Sequence, residues 1–448
     1  MIMAVAGLTL GGNHAAQATI TNTDTSVTYP TIQAAIDAAG AGHTISVDPG
    51  TYAENLVINS AGDGALTLIG AGSGSNPASD TIISGVAANS DTIWIRRGGT
   101  AVGERVTLSN LRITGGLGAG NLGMGVEIGN SGDVSHITFD NVALVGNEGN
   151  GIGLNHVGPA DDIVVTQSLL ADNGGAGFRV PASLASLGTL TIADTTVENN
   201  AGIGLITYTP GTISVSDSTF TGNASGVHTG GDLVMTDFVD GDLTLDNVSF
   251  TSDNADVAIR VSGDHDGGSP RLPISGAAIS MTDVTISGTQ TANGSYPSAA
   301  IVISRLKDLT PADVTFDNVA INSTADYGLF LGTVTDSVID LDGQVAFGGT
   351  FSEYAIALGQ HGNSSSYASA TANVDAGGCG LTADDVWDCG DDSALGRVIV
   401  VEHAAIPEPA TMVAVALAVT GLGGYVRKRR KHSWAARDGT RARETEAI

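Results

Sequence analysis

The chain contains one unit of about ten residues, written eight times over. VTLSNLRITG starts at Val106, ITFDNVALVGN at Ile137, IVVTQSLLADN at Ile163 and LTIADTTVENN at Leu190. ISVSDSTFTGN follows at Ile213, LTLDNVSFTSDN at Leu243, ISMTDVTISG at Ile279 and VTFDNVAINS at Val314. Anchored on Ser109, Asp140, Gln167, Asp194, Asp217, Asp246, Asp283 and Asp317, the steps are 31, 27, 27, 23, 29, 37 and 34 residues. Within each unit apolar and polar residues alternate, the period of a half-buried strand. Each unit ends in a turn rich in Asn and Gly. The chain then resumes with a short apolar stretch such as Gly151-Ile152-Gly153-Leu154 or Gly202-Ile203-Gly204-Leu205. No helical period of useful length interrupts the series.

Strands this short cannot bury a face alone, but stacked coil on coil they close a continuous interior. Steps of 23–37 residues suit one coil of a right-handed parallel β-helix, with longer coils bulging as loops. Propeller blades run near 40 residues and carry aromatic signatures that are missing here. A left-handed β-helix needs a strict hexapeptide period, also missing. The fold class expected is therefore all-β: a solenoid of about nine to eleven coils at ~4.8 Å per coil, a rod roughly 45–50 Å long. Asn147, Asn173, Asn199, Asn223 and Asn254 fall at equivalent turns, where Asn tolerates the left-handed conformation and bonds its neighbours. A structural asparagine ladder is expected there.

Composition agrees. Gly is abundant (62 residues) and aromatics make up 4%, which excludes an aromatic-rich globular core. Residues 19–406 hold 43 Asp and Glu against 10 Lys and Arg, and Lys307 is the only lysine among them. Such a surface repels nucleic acid and anionic membranes, keeps the chain soluble and attracts divalent cations.

Near the start, Ile32, Ala35, Ile36 and Ala39 follow helical spacing, so Thr31–Ala39 reads as a short amphipathic helix stopped at Gly40. His43–Val47 and Leu56–Ile58 read as strands around Asp48-Pro49-Gly50. The stretch TIQAAIDAAGAGHTISVDPGTYAENLVI resembles the start of pectin-lyase-like β-helix proteins, and the resemblance runs from about Thr31 to Leu358. It implies that the helix caps the open end of the first coil, where an uncovered strand edge invites aggregation. One scaffold of this kind carries many functions.

Both termini carry targeting features. Met1–Leu10 is apolar and Ala16-Gln17-Ala18 is a signal-peptidase pattern, so 1–18 reads as a signal peptide with Thr19 as the mature N-terminus, although no basic residue precedes the apolar stretch. At the other end stand Pro407-Glu408-Pro409, an uncharged span from Ala410 to Val426, and the basic run Arg427–Lys431. The span reaches the lower limit for a membrane helix, and the basic run predicts that this end stays cytoplasmic. The three-part order over residues 406–431 resembles the PEP-CTERM sorting signal of Gram-negative bacteria. The resemblance implies an exosortase as processing partner and transient inner-membrane insertion through 410–426. It departs from that pattern in the extra tail 432–448, and a plain membrane anchor is the alternative. The organisation expected is a β-helix over 19–370, a cysteine-containing segment and linker over 371–405, the sorting signal and the tail. Cys379 and Cys389, close together in an exported region, are expected as a disulfide.

No catalytic motif stands in the sequence, and no motif requires a cofactor. The resemblance points to the strand after the Asn turn, where family polysaccharide lyases bind substrate. Alternation gives the outward column of that strand as Glu127, Gly153, Arg179, Gly204, His228, Arg260, Val302, Phe330 and Ala357. A lyase needs a base for the proton beside a uronic carboxylate and a cation for the resulting anion. His228 is the candidate base, Arg260 and Arg179 the candidate carboxylate ligands, and Glu127 a further binding residue. Family lyases use Lys or Arg as the base, so a His departs from them. Calcium is the cation that Asp253, Asp256, Asp264 and Asp266 would hold, or the acidic run around Asp384–Asp392, although neither follows a known loop spacing. The acidic pair Asp161-Asp162 reads as a solvated loop. Two functions follow as expectations: a non-catalytic surface or exopolysaccharide-matrix module, and an extracellular polysaccharide lyase or glycoside hydrolase. An adhesin using the coil faces is a third.

Overall fold

The computed structural model describes residues 19–359 together with the strands Ala372–Asp375, Gly380–Thr382 and Val386–Asp388; within 19–359 it leaves out 60–64, 119–121, 130–133, 156–157, 225–229, 237, 239, 254, 264–276, 293–297, 305–312, 333–336 and 341–344. Three parallel ladders run through the described residues, and successive coils contribute one strand to each. The first begins at His43–Val47 and Leu66–Ile69 and climbs to Val314–Asp317. The second starts with Gly50–Ala53 and ends at Val345–Phe347. The third has eleven strands, from Leu56–Ile58 to Thr350–Gly359. The chain folds as a parallel β-helix.

The interior is a set of aligned columns. Ile45, Leu68, Leu108, Phe139, Val165, Ile192, Val215, Leu245, Met281 and Phe316 lie one above another in the first ladder, all buried. Alternation puts every second residue there, and like meets like because the register pairs equivalent positions of each unit. In the second ladder Phe220 stacks on Phe250 with ring centroids 5.1 Å apart. Between the first and second ladders the backbone turns at a left-handed residue in each coil: Asn110, Asn141, Gln167, Asp194, Asp217, Asn247, Asp283 and Asn318, with φ between 48° and 54°. Asn and Asp accept this conformation most readily among non-glycine residues, which is why seven of these eight positions are Asn or Asp.

The segment before the first coil pairs with it. Ile20–Asn22 pairs antiparallel with both Val27–Tyr29 and His43–Val47, so a hairpin occupies the lower edge of the first ladder. The helix Ile32–Asp37 has Thr31 as N-cap and buries Ile32, Ala35 and Ile36. Glu54 accepts from the backbone N–H groups of Ile32 and Gln33 at 3.0 and 3.1 Å. The Gln33 amide donates to Val57 O at 3.1 Å and accepts from Val57 N at 2.7 Å, taking the place of a strand below the third ladder.

The asparagine ladder forms, with one shift. Asn147 Nδ2 donates to Asn173 Oδ1, Asn173 to Asn200 and Asn200 to Asn223, at 2.9, 2.9 and 2.8 Å. Each amide also holds a backbone carbonyl of the coil below, for example Leu170 O to Asn200 at 2.9 Å. The third rung is Asn200, not Asn199. Asn199 is exposed and takes the left-handed turn position at φ 54°. Asn254 lies outside the described residues. A stack of glycines makes room for the rungs: a Cβ on Gly125, Gly151, Gly177 or Gly204 would come within 2.7–3.1 Å of Asn147, Asn173, Asn200 or Asn223 respectively.

Ile203 is a second correction. The spacing places it in the interior beside Ile152, but the strand of its coil is Leu205–Thr207, and the register runs Ile152, Phe178, Leu205. Ile203 packs instead on the outside of the third ladder with Ala176, Ile206, Ala224, Val234 and Ala255.

Candidate functional site

The outward column of the third ladder reads Val57, Trp94, Glu127, Gly153, Arg179, Ile206, Val234, Arg260, Val302, Phe330 and Ala357. Glu127, Gly153, Arg179, Arg260, Val302, Phe330 and Ala357 stand where alternation puts them. Two positions differ. Ile206 replaces Gly204, because the strand starts two residues later than the Gly-Ile-Gly-Leu pattern suggests. Val234 takes the rung assigned to His228, because Leu233–Met235 is the pairing strand. His228 itself lies outside the described residues. Three steps therefore separate Arg179 from Arg260, about 14 Å at the usual strand spacing, and buried aliphatic side chains fill the rungs between.

Arg260 is also engaged. Its Nη2 donates to Asp256 Oδ2 at 3.1 Å, and both residues are buried, with 7% and 2% exposure. A buried pair of this kind spends the charge of both partners on each other. Asp256 is thereby drawn away from the expected calcium set. Asp253 is exposed and accepts from Thr289 N at 2.8 Å, and Asp264 and Asp266 lie outside the described residues. Among the described residues no three His, Cys, Asp or Glu side chains come together as a metal site. Pro407, Glu408, Pro409, Cys379 and Cys389 fall outside the described residues, as does the Asp384–Asp392 run apart from its Val386–Asp388 strand.

The N-terminal end of the column is polar and assembles groups far apart in sequence. Trp94 is half-buried. Its indole N–H donates to Gly129 O at 2.6 Å, and the Arg96 guanidinium lies 3.8 Å from the ring centroid. One coil above, Glu127 accepts from Asn155 Nδ2 at 2.9 Å and is hydrogen-bonded to the Asp91 side chain. Asp91 Oδ1 in turn accepts from Met124 N at 2.7 Å. Two carboxyls in contact need a proton between them. Burial first, and the Asp91 contact second, push the Glu127 carboxyl up to about 8, against the opposing pull of Asn155 and Arg96. The Asp91–Glu127 pair therefore favours holding a shared proton, and Glu127 is only 8% exposed. Carrying the Ile93-Trp94-Ile95 alternation one coil back would have found Trp94. Asp91, Arg96 and Asn155 follow from no local pattern.

Asp161 is exposed, as a solvated loop would have it, but the half-buried Asp162 is engaged. Asp162 Oδ2 is shared by Arg105 Nη1 and His136 Nδ1, the latter at 2.6 Å, and Arg105 Nη2 donates to Asp162 O at 2.8 Å. Burial acts to raise the Asp162 carboxyl, but its bonds to Arg105 and His136 outweigh this and hold it below its ordinary value. Asp161 is also lowered: burial opposes, and hydrogen bonds from Thr189 win. These contacts staple the start of the first ladder across four successive coils.

The family model for the right handed beta helix region matches residues 16–234. No curated protein matches the chain in sequence. Among solved structures, an alginate lyase from Paenibacillus sp. str. FPU-7 is 12% identical, with 74% of this chain and 96% of that one covered and a TM-score of 0.37. Pectate lyase Pel9A is 16% identical, covering 64% and 72%, at 0.40. The catalytic unit of a thermostable α-1,3-glucanase from Streptomyces thermodiastaticus strain HF3-3 is 16% identical, covering 84% and 70%, at 0.41.

Proposed function

We propose that this chain is an exported β-helix that binds an extracellular polysaccharide without cleaving it. The observation that carries the reading is the pair Ile206 and Val234, buried between Arg179 and Arg260 where a cationic groove would have to run. With Arg260 held by Asp256, the column offers no continuous row of cations for a uronate chain. Hydrolysis of a glycosidic bond by a carboxyl pair needs the two groups about 5–9.5 Å apart, to admit a sugar carbon or a water. Asp91 and Glu127 touch instead. What the polar end does offer is recognition chemistry: an indole face, a carboxyl pair sharing a proton, an amide and a guanidinium. Such a set stacks on a sugar ring and bonds its hydroxyls.

The purified 19–406 segment, screened against neutral and acidic polysaccharides, is expected to retain at least one of them and to generate no unsaturated or reducing ends. Trp94→Ala should weaken that retention by about tenfold, the worth of one aromatic contact. Release of unsaturated ends by the wild type, abolished in His228→Ala, would replace this reading with a lyase acting through His228, Arg179 and Arg260.

Export and delivery to the surface or matrix of a Gram-negative cell rest on the two termini. Protein recovered from the native host is expected to lack the segment after roughly Pro409, as intact-mass spectrometry would read. An intact C-terminus through Ile448 on most molecules would leave a plain membrane anchor and remove the exosortase from the scheme.

A further inference from the structure

The asparagine ladder ends on a carboxyl. Asn223 Nδ2 donates to Asp232 Oδ1 at 2.7 Å, in the place where the next coil would supply an asparagine oxygen. Asp232 occupies the position held by Gly125, Gly151, Gly177 and Gly204 in the coils below: Leu205 N bonds to its carbonyl as Phe178 N bonds to that of Gly204. Glycine is needed there while an asparagine of the coil above presses on it. At the coil after Asn223 the described residues place no asparagine against this position; Ser252 is buried in the neighbourhood, and Asp232 receives the hydrogen bond of Asn223. Asp232 and Ser252 have no exposed surface.

Asp232 Oδ2 and Ser252 Oγ each lack a well-formed partner, although the two groups are neighbours. Gln290, whose amide holds Ser252 O at 2.9 Å, leaves its own Oε1 without one. A carboxylate has only acceptors, whereas an asparagine at this place would accept with its oxygen and donate with its nitrogen. A protonated acid does the same: Oδ1 accepts from Asn223 and Oδ2–H donates to Ser252 Oγ, freeing the serine hydroxyl to donate onward. Leaving the buried oxygens unpaired would cost each its desolvation.

We propose that Asp232 is held as a neutral carboxylic acid that imitates a ladder asparagine, and that its ionisation loosens the ladder at this coil. Burial, followed by the nearby Asp253 carboxylate, drives the acid up to about 7 against the hydrogen bond of Asn223 and the pull of the neighbouring Ser252 hydroxyl. On the paired strand Val257–Ser262 the charged side chain is Arg260, already neutralised by Asp256. The folded value lies above the unfolded one, so the stabilisation is complete below about pH 4. It is lost as pH rises to about 7 and is flat beyond.

Asp232→Asn installs the amide itself and tests the idea. Thermal and denaturant unfolding of the 19–406 segment would be followed from pH 5 to 9 for both proteins. Relative to the variant, the wild-type unfolding constant is expected to rise by about 50-fold between pH 5 and 7, by about twofold more by pH 8, and then run parallel. All other titrating groups, Glu127 included, cancel in the comparison. Should the variant fail to fold, infrared spectra of Glu127→Gln protein, which lacks the other raised carboxyl, should show a protonated carboxyl band at pH 5 that disappears by pH 9. Identical pH profiles for the two proteins would overturn the proposal, as would absence of that band. A wild-type melting temperature that falls on adding EDTA, while that of Asp232→Asn does not, would also overturn it, since a bound cation would then be neutralising the acid.

Discussion

Ile152→Asp is expected to destabilise the β-helix by about 5 kcal/mol or more. The side chain has no exposed surface and sits in the interior column of the third ladder between Val126 and Phe178. Removing a buried isoleucine costs about 2–5 kcal/mol in lost transfer energy and cavity. A carboxylate in its place adds the desolvation of a group with no partner within the column. The matched control is Thr244→Asp, an outward and exposed position of Asp242–Asp246, where the change should stay within about 0.5 kcal/mol. Chemical denaturation of the two variants beside wild type measures both. If Ile152→Asp unfolds at the wild-type midpoint, the interior column does not exist.

Asn200→Ala should cost about 4 kcal/mol, whereas Asn199→Gly should be close to neutral. Asn200 is fully buried and joins two neighbours in the ladder. Its loss strips a partner from Asn173 N and Nδ2 below and from Asn223 Oδ1 above, and it frees Leu170 O. Buried polar groups left unsatisfied cost about 1–3 kcal/mol each, and local relaxation recovers part of the sum. Asn199 is exposed and its contribution is a left-handed backbone, which glycine adopts without strain. Melting temperatures of the two variants therefore separate two adjacent asparagines by role. Equal losses, or a larger one at residue 199, would contradict the ladder.

The same pair shows how far the sequence reaches. The Asn-rich turn is legible in runs such as Val197-Glu198-Asn199-Asn200, and a ladder follows from its recurrence. Which of Asn199 and Asn200 enters it does not, because the choice depends on where the next coil's amide lies. The outward column behaves alike. Where coils are 26 residues long, as between Glu127, Gly153 and Arg179, counting by two lands on the observed residues. Beyond Arg179, residues move from strand into corner, and counting finds Gly204 and His228 where the backbone pairs Ile206 and Val234. A Gly-Ile-Gly-Leu stretch offers two apolar residues of suitable spacing, and either could begin a strand.

The sequence by itself determined the alternation, the stacking and the all-β class, because a period of two fixes which residues can share a face regardless of what lies beyond. It also carried the charge balance, since that needs no coordinates. Tertiary structure decided the register, because each coil is held by hydrogen bonds to its neighbours and loops of unequal length slide the pattern between them. It alone brought Asp91, Trp94, Arg96, Glu127 and Asn155 to one patch, tied Arg260 to Asp256, and placed Asp232 at the end of the asparagines. Such contacts join different coils, and nothing in the local run of residues records which side chain the next coil will present.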